Sequence, residues 1–290
     1  MSNLRNPFAV FDAKLQTAFE TNLLAALMED VGSGDHTAQL VPDDVRVHAR
    51  VIVREQAVLC GGPWFEGVMT AIDPNTDINW MYGEGELMSA GSVVCTIEGA
   101  PRSLLTGERS ALNFMQLLSA VATATRRYVD VVAGTGAVIL DTRKTLPGLR
   151  QAQKYAVRVG GGQNQRMALW DGILIKENHI AAAGGVPAAL HAAAALDAGV
   201  PVQVEVETLD QLAEALGAGA TSVLLDNFDL DRLRAAVKLN AGKALLEASG
   251  GINLDTVRDI AETGVDRISV GSLTKDIRAT DYSMRIVAAE

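Results

Sequence analysis

Charged residues and glycines stand directly after a series of apolar runs in the second half of the chain. Basic residues follow the early runs, and most of the carboxylates follow the later ones. In chain order these residues are Asp141, Thr142, Arg143, Lys144, Lys176, Glu205, Glu207, Asp226, Glu247, Ser249, Gly271 and Ser272. Cations that face carboxylates across one cleft suit an anionic substrate bound together with a divalent cation. An ion-pair network that closes the end of a sheet is the alternative.

The charge distribution also favours an anion-binding cleft. Residues 143–176 hold seven basic residues and one acidic residue, whereas the whole chain has a net charge of −10. An acidic chain is a poor candidate for general nucleic-acid binding, but a local excess of positive charge favours a small polyanion. A phosphate ester or a polycarboxylate is therefore the predicted substrate class. The spacing of the residues reveals no Ser-His-Asp or Cys-His arrangement.

The apolar runs themselves predict a parallel sheet. They have the length of strands, and helical stretches near 186–198, 209–216, 230–239 and 254–262 separate the later ones. The runs are 137–140, 172–175, 202–206, 222–225, 244–246 and 267–270. Nearly continuous apolar strands that alternate with helices are typical of a parallel sheet buried on both faces. The short repeats predict an α/β fold with an incomplete parallel (β/α) barrel, whose site lies at the carboxyl ends of the strands.

The first part of the chain has a different pattern. A helix is predicted over 11–28, strands over 45–59 and 92–97, and a long helix over 107–132. We expect three parts: an N-terminal α+β domain over 1–115, the barrel over 116–276, and a C-terminal helix within 277–290.

Two glycine-containing loops predict a phosphate site. Ser249-Gly250-Gly251 follows one strand and Gly271-Ser272 follows the next. Glycine lets backbone N–H groups approach phosphate oxygens, and a helix predicted from about residue 253 offers its positive N-terminus. Glu205 and Asp226 are the predicted ligands of Mg²⁺. Whether Glu205 or Glu207 faces the site stays open.

The composition excludes several other classes. With 48% hydrophobic and 21% charged residues, the chain is typical of globular proteins. Its longest uncharged stretch, 178–196, contains glycines, a proline and two histidines, so we expect no membrane span. Cys60 and Cys95 are too few for a disulfide framework and are predicted to be buried on strands. No secretory signal opens the chain, and a cytoplasmic protein is expected. His36, His48, His179 and His191 are predicted to be structural.

Several segments resemble the quinolinate phosphoribosyltransferase family. They are TRKTLPGLR (142–150), QKYAVRVGGGQNQR (153–166), LIKENHI (174–180), VEVETL (204–209), LLDNF (224–228) and EASGGI (247–252), with EDVGSGDHTA (29–38) and GERSALNF (107–114) in the first part. The resemblance implies an N-terminal sandwich domain, an incomplete barrel, a homodimer and a Mg²⁺-dependent step of NAD biosynthesis. In that step quinolinate and phosphoribosyl pyrophosphate give nicotinate mononucleotide, pyrophosphate and CO₂.

The resemblance also implies roles for residues of this chain. Arg143, Arg166 and Lys176 would hold the quinolinate carboxylates and nearby phosphates, with Lys144 and Thr142 beside them. Glu205 and Asp226 would serve the ribose hydroxyls and Mg²⁺, and together with Lys144 and Lys176 they form the predicted catalytic set. The phosphate would lie on Ser249, Gly250, Gly251, Gly271, Ser272 and Lys275.

Two further implications concern single residues. Arg109 would enter the site from the neighbouring subunit. Relatives usually carry Asn-His-Arg where this chain has Asn164-Gln165-Arg166, so Gln165 can donate a hydrogen bond to the substrate but cannot become cationic.

Three other functions remain as alternatives. A barrel lyase or isomerase acting on a phosphorylated sugar would use Lys176 as a Schiff-base lysine. A transferase that uses nicotinate would not release CO₂. A lipoyl- or biotinyl-type carrier is faintly suggested by the glycine-rich strands of 84–99, although that segment contains no acceptor lysine.

Overall fold

The computed structural model describes residues 11–42 and 45–287, which form two compact units. The first unit contains the described residues of Met1–Arg126, Thr145–Gly161 and Asp276–Glu290, and the second contains Arg127–Lys144 and Gly162–Lys275. The chain thus passes between the units several times, whereas the sequence predicted cuts near 115 and 276. Segment Thr145–Gly161 groups with the first unit because its helix buries Tyr155, Ala156 and Val157 in that unit's core.

The helices and strands alternate as the sequence predicted over most of the chain. The strands are β1 (Val47–Val53), β2 (Ala57–Val58), β3 (Asp77–Trp80), β4 (Leu87–Met88), β5 (Val93–Gly99), β6 (Val138–Leu140), β7 (Ile173–Ile175), β8 (Val202–Val206), β9 (Ser222–Asp226), β10 (Leu245–Ser249), β11 (Arg267–Ser269) and β12 (Tyr282–Val287). The α-helices are α1 (Ala13–Asp30), α2 (Gly62–Ile72), α3 (Pro101–Val132), α4 (Arg150–Val159), α5 (Glu177–Ala183), α6 (Val186–Ala195), α7 (Leu209–Gly217), α8 (Leu230–Asn240), α9 (Val257–Ala261) and α10 (Ser272–Lys275). None of the helices within the described residues is both long and apolar enough to cross a membrane.

The first unit is built on an antiparallel sheet with strand order β12-β1-β5-β3. Trp64 on α2 is fully buried in its core, and its ring lies 5.3 Å from that of Tyr155 on α4 and 5.5 Å from that of Phe19 on α1. Cys60 and Cys95 are buried here as free thiols. Cys95 lies on β5 as predicted, whereas Cys60 lies in the loop after β2.

The predicted C-terminal helix is wrong, because the chain ends its described part as strand β12. This strand pairs antiparallel with β1, with Met284 opposite Val51 and Tyr282 opposite Val53. Tyr282 and Met284 are buried while Arg285 is exposed, which follows the two-residue period of a strand. The partner strand lies far away in sequence, so local periodicity did not reveal the pairing.

The second unit carries the six predicted parallel strands in the order β6-β11-β10-β9-β8-β7. The buried Val223, Leu224 and Leu225 on β9 show why these strands are apolar on both faces. Helices begin where the sequence supplies caps: the side chain of Thr208 accepts the backbone N–H of Gln211 at 3.2 Å before α7. Strands β6 and β7 are the ends of this sheet, so the (β/α) barrel is incomplete, as predicted.

A buried carboxyl group lies at the beginning of α2. Glu84 is 3% exposed and accepts hydrogen bonds from the backbone N–H of Gly62 at 2.8 Å and of Gly61 at 3.3 Å, and from the hydroxyl of Tyr155 at 2.8 Å. Burial nevertheless raises the pKa of Glu84 from 4.5 to about 7, because desolvation of the charged form outweighs these bonds.

We expect Glu84 to make the protein less stable as pH rises through neutrality. Because the pKa of the folded state is raised above that of the unfolded state, the contribution is complete below pH 4.5 and is lost as pH passes about 7. A shift of this size lowers the free energy of unfolding by roughly 3 kcal/mol across that range. Urea unfolding at several pH values measures the slope.

The matched variants are Glu84→Gln and Glu86→Gln, the second at an exposed position two residues away. Glu84→Gln has no proton to lose, so its unfolding midpoint is expected to lack this fall, whereas Glu86→Gln is expected to keep it. The same slope in Glu84→Gln and the wild type would show that another group is responsible.

Candidate functional site

The carboxyl ends of the parallel strands bring three predicted residues onto one face of the sheet. In the strand pairing, Glu205 is level with Leu224, and Asp226 is level with Ser249. Because side chains alternate along a strand, Leu224 and Asp226 point to the same side. Glu205, Asp226 and Ser249 therefore share a face, although they come from three different strands.

Lys176 and Glu205 form an ion pair on this face. Nζ of Lys176, directly after β7, lies 2.6 Å from Oε2 of Glu205, and the Glu205 side chain is only 11% exposed. Glu207 is exposed beyond the end of β8. Glu205 is thus the carboxylate that contacts the predicted site lysine.

His179 holds the backbone at Lys176. Its Nδ1 accepts the backbone N–H of Lys176 at 3.0 Å, so that His179 closes a capping box at the start of α5. The sequence predicted a structural histidine here, but not that it orders the site lysine.

The segments that carry Arg143 and Arg166 lie side by side at the edge of the sheet. Leu140 at the end of β6 is bridged in parallel to Gln163, so residues 163–166 run beside 140–143. Burial, and then the charge of Arg143, lower the pKa of Arg166, while Asp171 opposes this shift. Two guanidinium groups that influence each other's charge favour an anion with more than one negative group.

The loop after β10 requires glycine. Gly250 and Gly251 have φ values of +107° and +61°, a region that glycine adopts without strain. A Cβ on Gly250 would overlap Oδ1 of Asn227, so a larger residue does not fit. Bare backbone is therefore exposed next to Ser249 and Asp226, as a phosphate cradle needs.

The helix expected to support this loop starts later than predicted. The side chain of Asn253 accepts the backbone N–H groups of Asp255 at 3.0 Å and Thr256 at 3.1 Å, which forms a turn. Helix α9 begins only at Val257, so no helix N-terminus adjoins Gly250 and Gly251, and the prediction of one from about residue 253 is wrong.

Lys144 lies beside the second glycine loop. A Cβ on Gly271 would be 3.2 Å from Cδ of Lys144 and 3.6 Å from the hydroxyl of Thr142. The hydroxyl of Thr142 accepts a hydrogen bond from the backbone N–H of Lys144 at 3.1 Å. The hydroxyl of Thr274 donates to the backbone carbonyl of Lys144 at 2.7 Å. The structure thus gathers Thr142, Lys144 and Gly271 as predicted.

Three predicted residues lie further along helices. Ser272 follows Gly271 at the start of α10, and the exposed Lys275 ends that helix. Arg109 is an exposed residue of α3 in the first unit.

The side chain of Gln165 is held by two polar residues of the sheet. Its Nε2 donates to Oε1 of Gln203 at 2.6 Å and to Oε2 of Glu247 at 3.3 Å. Gln203 and Glu247 are both buried. Both amide hydrogens of Gln165 therefore have acceptors within the protein, and the contact of Gln165 with a substrate carboxylate stays a prediction. Sequence reasoning missed Gln203, which lies inside an apolar strand.

The carboxylates fit a metal that takes few protein ligands. Among residues 11–42 and 45–287, no cluster of three or more histidine, cysteine, aspartate or glutamate side chains is arranged to hold a metal ion. Glu205 and Asp226 on neighbouring strands offer two carboxylates, and Mg²⁺ is commonly held by one or two carboxylates with substrate phosphates completing its shell. The donor set therefore suits a magnesium ion that arrives with a phosphorylated substrate.

The cationic segment 143–176 is divided between the units. Arg143, Lys144, Arg166 and Lys176 belong to the second unit, which holds the site. Lys154 on α4 is fully buried in the first unit, and the exposed Arg158 lies 6.0 Å from the ring of Tyr155. The four cations of the second unit are thus the candidates for anion binding.

Comparisons with known proteins identify relatives over almost the whole chain. Residues 35–119 match the N-terminal domain and residues 121–285 the C-terminal domain of the family "Quinolinate phosphoribosyl transferase". A protein of Mycobacterium leprae named nicotinate-nucleotide pyrophosphorylase [carboxylating] is 40% identical over 283 residues, which cover 94% of this chain and 98% of the relative. A probable enzyme of the same name from Bacillus subtilis is 39% identical over 260 residues, 89% of this chain and 90% of the relative.

A solved structure agrees with these matches. The nicotinate-nucleotide pyrophosphorylase of Francisella tularensis is 44% identical, superimposes with a TM-score of 0.91, and the match covers 93% of this chain and 96% of that one.

Proposed function

The chain belongs to the quinolinate phosphoribosyltransferase family, and we propose that it makes nicotinate mononucleotide for NAD biosynthesis. As a pentosyltransferase it converts quinolinate and phosphoribosyl pyrophosphate to this product, with release of pyrophosphate and CO₂. The observation that carries the proposal is that the adjoining segments with Arg143 and Arg166, and the Lys176–Glu205 pair, all lie at the carboxyl ends of the parallel strands. Cations for a dicarboxylate and carboxylates for a sugar are both present there.

Recognition of quinolinate follows from its two carboxylates. A guanidinium group binds a carboxylate through two parallel hydrogen bonds, and two such groups with Lys176 match a dianion. Nicotinate has one carboxylate, so it leaves part of this charge unpaired. We therefore assign Arg143, Arg166 and Lys176 to quinolinate.

Transfer of the ribosyl group needs stabilisation of charge on both partners. The ring nitrogen of quinolinate bonds to the anomeric carbon while the bond to pyrophosphate breaks, so positive charge develops on the sugar and negative charge on the leaving group. Glu205 and Asp226 stabilise the sugar, and Lys144 with the glycine loops binds the phosphates. Mg²⁺ bound with phosphoribosyl pyrophosphate would neutralise the leaving group, with Glu205 and Asp226 as its protein ligands.

Loss of CO₂ needs little from the protein. Once alkylated, the ring nitrogen is cationic and stabilises the electron pair left on the adjacent carbon when CO₂ departs. A proton from solvent then bonds to that carbon. This account fits a site in which, among the described residues, no histidine is placed as a general base.

We propose further that the active form is a homodimer in which Arg109 of one subunit enters the site of the other. An exposed arginine on α3 is free to reach a neighbour, and two-fold symmetry lets each site receive one. A cytoplasmic location is supported by the two cysteines, both of which are buried and free.

The function is tested by incubating the pure protein with quinolinate, phosphoribosyl pyrophosphate and Mg²⁺ and following nicotinate mononucleotide by chromatography. Product is expected only with both substrates, and a chelator is expected to stop the reaction until Mg²⁺ is added in excess. Product formation that survives complete chelation would contradict the role assigned to Glu205 and Asp226.

A further inference from the structure

Two polar side chains that the proposed reaction does not use are buried on the face of the sheet that carries Glu205. Glu247 on β10 is 1% exposed, and Gln203 on β8 is 7% exposed. Nε2 of Gln203 donates to Oε2 of Glu247 at 2.8 Å, although β9 lies between their strands. A buried carboxylate is costly unless hydrogen bonds compensate for its lost hydration, so this pair needs a reason beyond packing.

The side chain of Gln165 completes this buried cluster. Its amide nitrogen donates to Gln203 at 2.6 Å and to the same Glu247 oxygen at 3.3 Å. Its amide oxygen accepts the backbone N–H of Arg166. Gln165 is therefore an anchor whose inner end is fixed by two buried residues and whose outer end fixes the next residue of the chain.

The turn that carries Arg166 is held from a second side. Oδ1 of the fully buried Asp141 accepts the backbone N–H of Gln165 at 2.9 Å, and its Oδ2 accepts the side-chain amide of Asn164 at 2.6 Å. Hydrogen bonds from both sides thus hold the backbone position from which Arg166 extends.

We propose that Gln203 and Glu247 are positioning residues that hold Gln165, and through it the backbone of Arg166, for recognition of the acceptor's carboxylates. The inference rests on the proposed function, because it concerns the same site. Its chemical meaning is that residue 165 recognises the substrate indirectly: it orders a guanidinium group and does not itself contact quinolinate.

This role predicts an effect on one substrate and not on the other. Arg166 binds the acceptor, whereas phosphoribosyl pyrophosphate is assigned to the glycine loops and the carboxylates. A displaced Arg166 weakens the bidentate contact with a carboxylate, which depends on geometry. The KM for quinolinate is therefore the quantity that reports the anchor, while a general loss of structure would lower the activity with respect to both substrates.

The first experiment replaces Gln203 and Gln165, one at a time, by leucine, an apolar residue of similar size. Gln203→Leu and Gln165→Leu are each expected to raise the KM for quinolinate about tenfold, the scale of one or two lost hydrogen bonds. The KM for phosphoribosyl pyrophosphate is expected to stay within about twofold. Since the two residues act through one contact, the double variant is expected to be no worse than either single one. Gln163→Leu is the matched control, because that side chain is exposed in the same loop.

The second experiment first disrupts the contact between residues 165 and 203 and then restores it with a pair of opposite charges. Gln203→Glu places a second carboxyl group beside Glu247, and at a pH high enough to ionise both, their repulsion is expected to raise the KM for quinolinate by about tenfold or more. Adding Gln165→His supplies an imidazole that two carboxylates keep protonated, so it can donate to both. The double variant is expected to return to within about threefold of the wild type. A purely structural loss would not be reversed by a change at position 165.

The outcomes separate this inference from the function on which it rests. Wild-type protein that fails to convert quinolinate contradicts the proposed function. If the wild type converts quinolinate, three results overturn the positioning role alone. The first is that the leucine variants of Gln203 and Gln165 have the same KM for quinolinate as Gln163→Leu, and the second is that they show equal changes in KM for both substrates. The third result is that adding Gln165→His does not restore the KM of Gln203→Glu.

Discussion

Replacement of Lys176 by alanine is expected to lower kcat/KM for quinolinate by about a hundredfold or more, the size of effect seen when a preorganised charge is removed from a site. The ammonium group lies 2.6 Å from Oε2 of Glu205 and is one of the three cations assigned to the substrate carboxylates. Its loss removes a partner of the substrate carboxylates and leaves the carboxylate of Glu205 without its counter-ion. Arg143→Ala is expected to have an effect of the same order.

Steady-state kinetics with both substrates, corrected for the folded fraction by circular dichroism, measure this loss. Lys243→Ala is the matched control, because Lys243 is an exposed lysine just before β10, at the opposite end of the strands. We expect it to keep wild-type activity. If Lys176→Ala unfolds readily but its activity per folded molecule is intact, the pair with Glu205 serves only to close the sheet.

The second large effect is expected from mixing two inactive variants. Arg109 precedes the first barrel strand and is exposed on α3, so chain order does not place it at the carboxyl ends of the parallel strands. If each site receives Arg109 from the neighbouring subunit, the two substitutions affect residues that different subunits contribute to one site. Arg109→Ala removes the residue that a subunit gives to its neighbour, and Lys176→Ala removes a residue of the subunit's own site. Unfolding and refolding them together gives dimers of which about half are mixed.

In each mixed dimer one of the two sites combines an intact Lys176 with an intact Arg109. Random assortment therefore predicts about a quarter of the wild-type activity. Each variant refolded with itself is the control and is expected to stay nearly inactive. Confirmed subunit exchange without recovery of activity would show that Arg109 acts within its own chain or has no part in the reaction.

The parallel sheet could be predicted because its information is local. Apolar runs such as 222–225 predict buried strands by their composition alone, and the polar residues that follow them indicate the carboxyl ends of the strands, where the site lies. Lys176, Glu205 and Asp226 could be predicted in this way. The choice between Glu205 and Glu207 needed the structure, since alternation along a strand fixes a face but not which face is inside.

Other features depend on contacts between distant segments. Strand β12 was expected to be helical because its partner, β1, lies more than 200 residues earlier. Segment 163–166 has no apolar run, so nothing local indicated that it lies beside the end of β6. Gln203 lies in the apolar run of β8, where only the contact with Glu247 reveals its role. The first turn of α9 was misplaced because Asn253 uses its side chain to form a turn of its own.

The most direct measurement of the central claim is the stoichiometry of the products with quinolinate labelled in the carboxyl group next to the ring nitrogen. Labelled CO₂, pyrophosphate and nicotinate mononucleotide are expected in equal amounts, and nicotinate offered in place of quinolinate is expected to give little product. Equal turnover of nicotinate without CO₂, or pyrophosphate released without labelled CO₂, would contradict the assignment of this site to a decarboxylating phosphoribosyl transfer.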